Sequence, residues 1–468
     1  MTTAPSDDTL NRLAAVVGGK YAIRDQAEMA AYMNEWRQIW VGRSPLVLRP
    51  GSTDEVSRLL AIANETGTAI VPQSGNTGLN GGQIPTDAGT EVLLSLDRMS
   101  RILDVDPADN TITVEAGAIL KSVQEAADAV ERLFPLSLAS EGSCRIGGNL
   151  STNAGGLNVI RYGNTRDLCL GLEVVLADGR VWNGLKRLRK DNTGYDLRDM
   201  FIGAEGTLGV ITAAVMKLFP RPRSQETAFI AVTDPQAAVD LLSLTQETSG
   251  GRVVAFELIA DIALRFTIRH AGTRNPLSSS SPWYVLAELA DPVQGTMMGV
   301  LEAAMERGLV TDAAVAQSGS QRSELWAIRE LISESQKPEG GSIKHDISVP
   351  VSKVPDFIRA ADVAVERFMP GCRFVTFGHM GDGNIHYNVS QPIGMNKQAF
   401  VDSWDRMNDV VFDVVIGLGG SISAEHGIGR LKAHHMPLIK SAVELEMMGG
   451  LKRMLDPNNI LNPGRVLP

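Results

Sequence analysis

Apolar residues along this chain fall into two rhythms. Between about residues 45 and 220, short runs such as VLRP (47–50), AIVPQ (69–73), EVLLSL (91–96) and NTITVEAGA (110–118) have the length and residue preferences of strands. Between them lie DEVSRLLAIANETG (54–67) and LKSVQEAADAVERL (120–133), whose apolar positions recur at the spacing of an amphipathic helix. The alternation predicts a mixed α+β domain. Pro220, Pro222 and the polar stretch RPRSQE interrupt it and mark a boundary. Beyond them AFIAV, WYVLAELA and SIKHDISVPV alternate with long helical stretches, which predicts a second, antiparallel sheet with helices on one face. Near residue 420 glycine becomes frequent again, and the tail LDPNNILNPGRVLP predicts a helix end followed by an extended strap. The expected division is 1–220, 221–418 and 419–468.

The length of 468 residues agrees with more than one core. A net charge of −10, with no Lys/Arg-rich stripe, works against phosphate backbones and anionic lipid, so nucleic acid is not an expected partner. MTTAPSDDTLNRL lacks the basic and apolar regions of a secretion signal, and no apolar run reaches membrane-spanning length. The expectation is a cytoplasmic protein without a transmembrane segment. Cys144, Cys169 and Cys372 are far apart and odd in number, which supports neither a disulfide framework nor a CxxC metal knuckle.

The chain has only seven histidines, and two flank a turn in FGHMGDGNIHYNV (377–389). A two-residue hairpin turn at Asp382 and Gly383, which Asp-Gly favours, places His379 directly opposite His386. Opposed Cβ atoms lie roughly 4.5–5.5 Å apart, close enough for both imidazoles to share one metal ion. Asn388 would share their face. Glu425, in SISAEHGIG (421–429), supplies the carboxylate of a two-histidine, one-carboxylate set with open positions, and His426 beside it is available as a base. On residue logic alone the histidines serve equally as polar groups around a glycine-rich turn.

Three polar glycine segments precede residue 220: PQSGNTGLNGG (72–82), SEGSCRIGGNLSTNAGG (140–156) and FIGAEGTLGVIT (201–212). Such segments offer backbone N–H groups to a diphosphate with little side-chain obstruction. Neither GxxxxGK[ST] nor GxGxxG is present, which disfavours a Walker ATPase and a dinucleotide fold of the Rossmann type. The segments read either as the threading of one extended ligand or as ordinary turns.

Taken together, PQSGNTGL, GSCRIGGNLSTNAGG, LRKDNTGYDLRDMFIGAEGTLGVIT, GHMGDGNIH, SAEHGIG and ILNPG resemble the FAD-linked D-2-hydroxyacid dehydrogenases of the vanillyl-alcohol oxidase superfamily. The closest family is the D-2-hydroxyglutarate dehydrogenases. The resemblance runs from about residue 40 to the end of the chain. It implies a PCMH-type FAD-binding domain, a substrate-binding cap domain and a C-terminal segment that returns to the FAD domain. Pro72, Ser74, Gly75, Asn76, Thr77 and Gly78 would wrap the FAD diphosphate. Ser140, Gly142, Ser143, Gly147, Gly148, Asn149 and Thr152 would line the flavin region, Glu205, Gly206 and Ile211 the adenosine side, and Asn462 would approach the flavin ring. Some relatives attach FAD through a histidine in the first loop. Asn76 stands about there in this chain and no histidine precedes His270, so the expected FAD is non-covalent.

The resemblance also implies that His379, His386 and Glu425 bind a metal, usually zinc, with manganese or iron also suited, and that His426 is the catalytic base. The expected reaction oxidises D-2-hydroxyglutarate to 2-oxoglutarate. A Lewis acid eases removal of the hydroxyl proton, His426 accepts it, and flavin N5 takes the hydride. In SELWAIRELISESQ a continuous helix would project Arg329 and Ser333 from one face, and in GSIKHDISVPV Lys344 shares a strand face with Ser342 and Asp346. The hydroxyglutarate family has Arg, Thr and Lys at this spacing around the substrate carboxylates, so Ser333 keeps the hydroxyl and drops the methyl. Asn388 and His426 complete the expected substrate contacts. D-lactate, D-malate, glycolate or a bulkier D-hydroxyacid remain alternatives, as do a non-catalytic flavin-binding subunit and a zinc hydrolase. Without an NAD fingerprint, electrons are expected to pass to an electron-transfer flavoprotein or a quinone, and a homodimer is the expected assembly.

Overall fold

A computed structural model describes residues 3–37 and 39–468 and divides the chain into two compact units. The first comprises residues 1–155, 163–221 and 425–468, and the second 156–162 and 222–424. The first boundary falls beside the proline pair. The return to the first unit comes six residues after the expected 419, because Ser421 bridges Ser348 and the Ala424 amide donates to the Asp346 carbonyl, holding this stretch to the second unit's sheet.

The first unit contains two principal sheets. In one, β1 (Ala22–Ile23), β2 (Val47–Leu48), β3 (Ile70–Gln73) and β4 (Val92–Ser95) run in the order β1-β2-β4-β3. β4 lies parallel to both β2 and β3. Helix Thr53–Thr66 links β2 to β3. Ser52 caps it by accepting from the Glu55 amide, Gly67 ends it at φ 66°, and Val56, Leu59, Leu60 and Ala63 form its buried stripe. The other sheet has β5 (Ile102–Asp106), β6 (Thr111–Glu115), β7 (Cys169–Val175), β8 (Val181–Gly184) and β9 (Val210–Lys217), in the order β5-β6-β9-β7-β8 with antiparallel pairing. The predicted strap adds to the first sheet. After helix Ala442–Leu455, Leu461 bridges Ile70 in parallel. The Ile70 amide donates to the Ile460 carbonyl at 2.7 Å and the Asn462 amide to the Ile70 carbonyl at 2.9 Å.

The second unit is built on a seven-stranded antiparallel sheet. Its strands are β10 (Gln225–Val232), β11 (Val253–Ala260), β12 (Trp283–Ala290), β13 (Val310–Val315), β14 (Ser342–Ser348), β15 (Arg373–His379) and β16 (Asn384–Ser390). Their order is β13-β10-β12-β11-β15-β16-β14. Helices cover both faces rather than one. On one face Ala263, Leu264, Leu325, Trp326, Ile328 and Ile332 join a core with Ala255, Ile259, Val375 and Phe377. On the other, Phe357 of helix Val354–Phe368 meets Tyr387 edge to face, with ring centroids 5.5 Å apart. The physical reason is legible in β10, β11 and β12, which are buried at nearly every position, as strands covered on both sides must be.

No helix among the described residues is long and apolar enough to cross a membrane.

The covered second face contains a half-buried carboxyl group. Asp362 Oδ1 accepts from the Tyr387 hydroxyl at 2.8 Å, and burial raises its pKa from 3.8 to about 6 against the lowering effect of that bond. The folded state therefore holds this proton more tightly than the unfolded chain does. Its contribution is complete below about pH 4 and is lost as pH rises through 6. The full shift corresponds to about 3 kcal/mol, which residual solvent access reduces. Asp362→Asn should therefore stabilise the protein by roughly 1–2 kcal/mol at pH 7.5 and by nothing measurable at pH 4. Urea denaturation at the two pH values checks this, and an equal effect at both would contradict it.

Candidate functional site

In the first unit the three glycine segments converge on one cleft. The close approaches explain the glycines. A Cβ at Gly75 would lie 2.5 Å from the Ser143 carbonyl oxygen and 2.9 Å from Cys144 Cα, so the first and second segments touch backbone to backbone. Gly148 meets Ser74, whose hydroxyl accepts from the Gly148 amide at 3.1 Å, and Gly206 packs on Pro72. Asn76 adopts φ 53°, with its amide donating to the carbonyls of Ala31 and Asn34.

Pro72, Ser74, Gly75, Asn76, Thr77 and Gly78 line the cleft, as do Gly147, Gly148, Asn149 and Thr152. So do Glu205, Gly206, Ile211 and Asn462. Ser140, Gly142 and Ser143 are not on its walls. They form the turn leading into it, closed by the Ser143 amide donating to the Ser140 carbonyl at 2.8 Å. His426 also lines the cleft, so the expected base faces the same space as the glycine segments.

Two residues fix the backbone that carries His426. Asn80 donates from Nδ2 to the carbonyls of His426 and Gly427 and accepts from the Arg430 and Leu431 amides. Glu205 accepts from the amides of Ile428 at 2.6 Å and Gly429 at 2.8 Å. Burial drives the Glu205 pKa up to about 7 despite these two donors. Asn80 was not anticipated from the sequence, nor was the contact of Glu205 with this segment.

The Asn462 amide donates to the carbonyls of Gly82 and Glu205, while its Oδ1 is buried on the cleft wall without a partner among the described residues. A close-packed glycine cradle with hydroxyls from Ser74 and Thr77 and a buried, unsatisfied acceptor suits a ligand combining a diphosphate with a ring bearing N–H groups.

In the second unit His379, His386, Asn388 and Lys344 lie on one sheet face. The hairpin differs from expectation. His379 pairs with Asn384 and Phe377 with His386, leaving residues 380–383 as a four-residue loop instead of a two-residue turn. Asp382 spends its carboxylate on the Asn384 amide at 3.0 Å, and Gly383 takes φ 83° against the Val349 carbonyl, so neither residue forms the tight turn. His379 and His386 are therefore diagonal, not directly opposite. Side chains two positions along share a face, so their ring centroids still lie 5.5 Å apart.

Asn388 lies on that face. Opposite it in β14 is Lys344, and opposite His386 is Asp346. Asn388 donates to Gln336 Oε1 at 3.1 Å, a support not foreseen from the sequence. Arg329 and Ser333 do not share one continuous helix. Helix Gly319–Glu330 ends at Leu331, and Ser333 sits exposed on the short helix Ile332–Ser335. Leu331, at φ −86° and ψ 0°, separates the two helices while its backbone stays in the right-handed region, and periodicity alone does not reveal such a break.

The residue most clearly missed is Glu257 of β11. It is fully buried and pairs directly with His379 across the sheet. Its Oε1 meets His379 Nδ1 at 2.8 Å and its Oε2 accepts from Arg329 Nε at 2.7 Å. Burial alone would raise its pKa, but the His379 imidazole and the Arg329 guanidinium bonded to it bring it below the usual carboxylate range. The Arg329 guanidinium also stacks over Phe377, 4.7 Å from the ring centroid. A glutamate inside the apolar run VVAFELIA was the available signal.

Glu425 follows Ala424 directly, and the Ala424 amide is bound to Asp346, the register partner of His386.

Comparison with known proteins agrees with this architecture. Residues 221–466 match the family model "FAD linked oxidases, C-terminal domain" and residues 44–184 match "FAD binding domain". A Bos taurus D-2-hydroxyglutarate dehydrogenase, mitochondrial, is 38% identical over 99% of this chain and 84% of its own length. The D-2-hydroxyglutarate dehydrogenase of Xanthomonas citri pv. viticola is 36% identical over 94% of this chain and 93% of its own. Among solved structures, p-cresol methylhydroxylase with substrate bound aligns with a TM-score of 0.76 at 16% identity, covering 100% of this chain and 98% of that one. The fold is that of the PCMH-type FAD oxidases. The chain belongs to the FAD-linked oxidases, as an FAD-dependent oxidoreductase with D-2-hydroxyglutarate dehydrogenases among its relatives.

Because the Gly75 contact is backbone against backbone, no rotamer change relieves it. Gly75→Ala should force the first two glycine segments apart at a cost of about 1–3 kcal/mol and lower the flavin bound per chain about tenfold. The ratio of flavin to protein absorbance after gel filtration reads the effect, and wild-type occupancy would contradict the packing argument.

Proposed function

We propose that this protein oxidises D-2-hydroxyglutarate to 2-oxoglutarate using non-covalent FAD and a divalent metal ion, with zinc the preferred ion over manganese or iron. The observation that carries the reading is the single sheet face on which Arg329, His379, His386, Asn388 and Lys344 are collected. The similarity to full-length relatives named for this substrate supports the choice of acid.

In this reading FAD is held by Pro72, Ser74, Gly75, Asn76, Thr77 and Gly78, by Gly147, Gly148, Asn149 and Thr152, by Glu205, Gly206 and Ile211, and by Asn462. The turn residues Ser140, Gly142 and Ser143 support them from outside the cleft wall. His379, His386 and Glu425 are the metal ligands, a two-imidazole, one-carboxylate set that leaves positions for substrate oxygen. When bound, the flavin supplies a hydride acceptor at N5 and the divalent ion a Lewis acid.

The chain's own residues do the rest. Arg329 presents a planar guanidinium, oriented by Glu257 and Phe377, to one carboxylate, and Lys344 contributes a second positive charge. Two cations fit a dicarboxylate better than lactate. Ser333 offers a hydroxyl and Asn388 an amide to the same substrate. His426 accepts the hydroxyl proton at a ring nitrogen, its backbone steadied by Asn80. Electrons leave for a separate carrier, an electron-transfer flavoprotein or a quinone.

Steady-state assays with a dye acceptor on metal-quantified protein should show hydroxyglutarate preferred over D-lactate, D-malate and glycolate, and a clear preference for lactate would remove the diacid reading. His426→Ala should lower kcat at least about 100-fold while leaving most of the flavin bound, and near-normal turnover would eliminate His426 as the base. Chelation should abolish activity, with zinc restoring it. Acid precipitation should release the flavin into the supernatant, whereas yellow colour remaining with the polypeptide would mean a covalent link.

A further inference from the structure

The seven-stranded sheet buries two glutamates, and their surroundings differ in a way that assigns them different work. Glu288 of β12 accepts from Thr227 Oγ1, Arg322 Nε and Nη2, and Trp326 Nε1, all between 2.7 and 2.8 Å. That set ties a helix to the sheet and contains no histidine. Glu257, one strand away, divides its two oxygens between an imidazole and a guanidinium.

We propose that Glu257 is the positioning residue of the metal and substrate site, fixing His379 through Nδ1 and Arg329 through Nε with a single carboxylate. The inference rests on the metal reading above and extends it to a residue that touches neither ion nor substrate. A neutral imidazole has one donor nitrogen and one acceptor nitrogen. With a carboxylate at Nδ1, the proton stays on Nδ1 and the Nε2 lone pair faces outward as the ligand atom. Glu257 and His379 are directly paired residues of adjacent strands, so the ring is set by the sheet itself and not by a mobile loop. The same carboxylate uses the Nε edge of Arg329, which leaves the two Nη groups for a planar anion. Burial makes the arrangement specific, because neither partner has water as a substitute.

A purely structural role predicts that Glu257 only neutralises the buried Arg329. The two roles separate through zinc affinity, measured on FAD-loaded protein by competition with a chromophoric chelator. Glu257→Gln should weaken zinc about 10- to 100-fold, the range for loss of a carboxylate behind a metal-bound histidine. Arg329→Gln, which leaves the Glu257–His379 contact in place, should stay within about threefold of wild type on the same ground. Should Glu257→Gln fail to fold around an unpaired Arg329, the double variant Glu257→Gln/Arg329→Gln carries the test. It contains no unpaired charge from this pair and should bind zinc as weakly as expected for Glu257→Gln. Equal zinc affinity in wild type and the folded Glu257 variant overturns the proposal, as does equal weakening by Glu257→Gln and Arg329→Gln. A wild-type protein that takes up no zinc, manganese or iron instead removes the metal reading itself.

Discussion

One carboxylate on the cleft wall organises the part of the first unit that carries His426. Glu205 receives the Ile428 and Gly429 amides, and the segment so held carries His426 onto the wall of the glycine-lined cleft. The clamp works only because the surrounding backbone comes very close. A Cβ on Gly427 would stand 2.7 Å from Glu205 Oε1, at a residue that already needs φ 72°, and one on Gly82 would stand 3.1 Å from Oε2. The cleft and the histidine that faces it therefore share one set of supports. Their relative placement is built in before any ligand arrives, which is the condition for an oriented proton transfer.

In the second unit stability and chemistry pull in different directions. A buried carboxylate flanked by an imidazole and a guanidinium is an expensive way to hold a sheet together, and apolar residues of similar volume often do as well or better. The surrounding core of Ala255, Ile259, Val375 and Phe377 shows what the sheet uses where only packing matters. The polar exception at Glu257, Arg329 and His379 is intelligible as preparation of a site. Its neighbours Phe377, Asn388 and Gln336 then limit the motion of the groups that face outward.

The sequence was most legible where chemistry restricts residue type. The glycine segments were visible because Gly75 has to meet backbone and Gly148 and Gly206 have to admit the Ser74 and Pro72 side chains, and the shared face of His379, His386 and Asn388 followed from the two-residue period of a strand. Register was not legible, since Asp382-Gly383 fits several loop lengths and the choice depended on the distant Val349 carbonyl. The helix break at Leu331 left no proline or glycine to announce it. Glu257 stands in VVAFELIA, where strand periodicity gives no sign of a site, although a lone acid in such a run implies a buried partner. The Glu205 clamp joins residues 223 and 224 positions apart, a separation no local pattern encodes.

The strap has a consequence for how the protein is made. Ile70 takes its edge hydrogen bonds from Ile460 and Asn462, and Glu91 finds its buried counter-ion in Arg465, 374 residues later. Translation thus exposes β3 and an uncompensated acid on the nascent chain while all of residues 222–424 are still being synthesised. The partners of Ile70 and Glu91 come from residues 460–465, so the first unit must wait for that stretch. Until then its open strand edge is a natural target for chaperones that retain unfinished polypeptides.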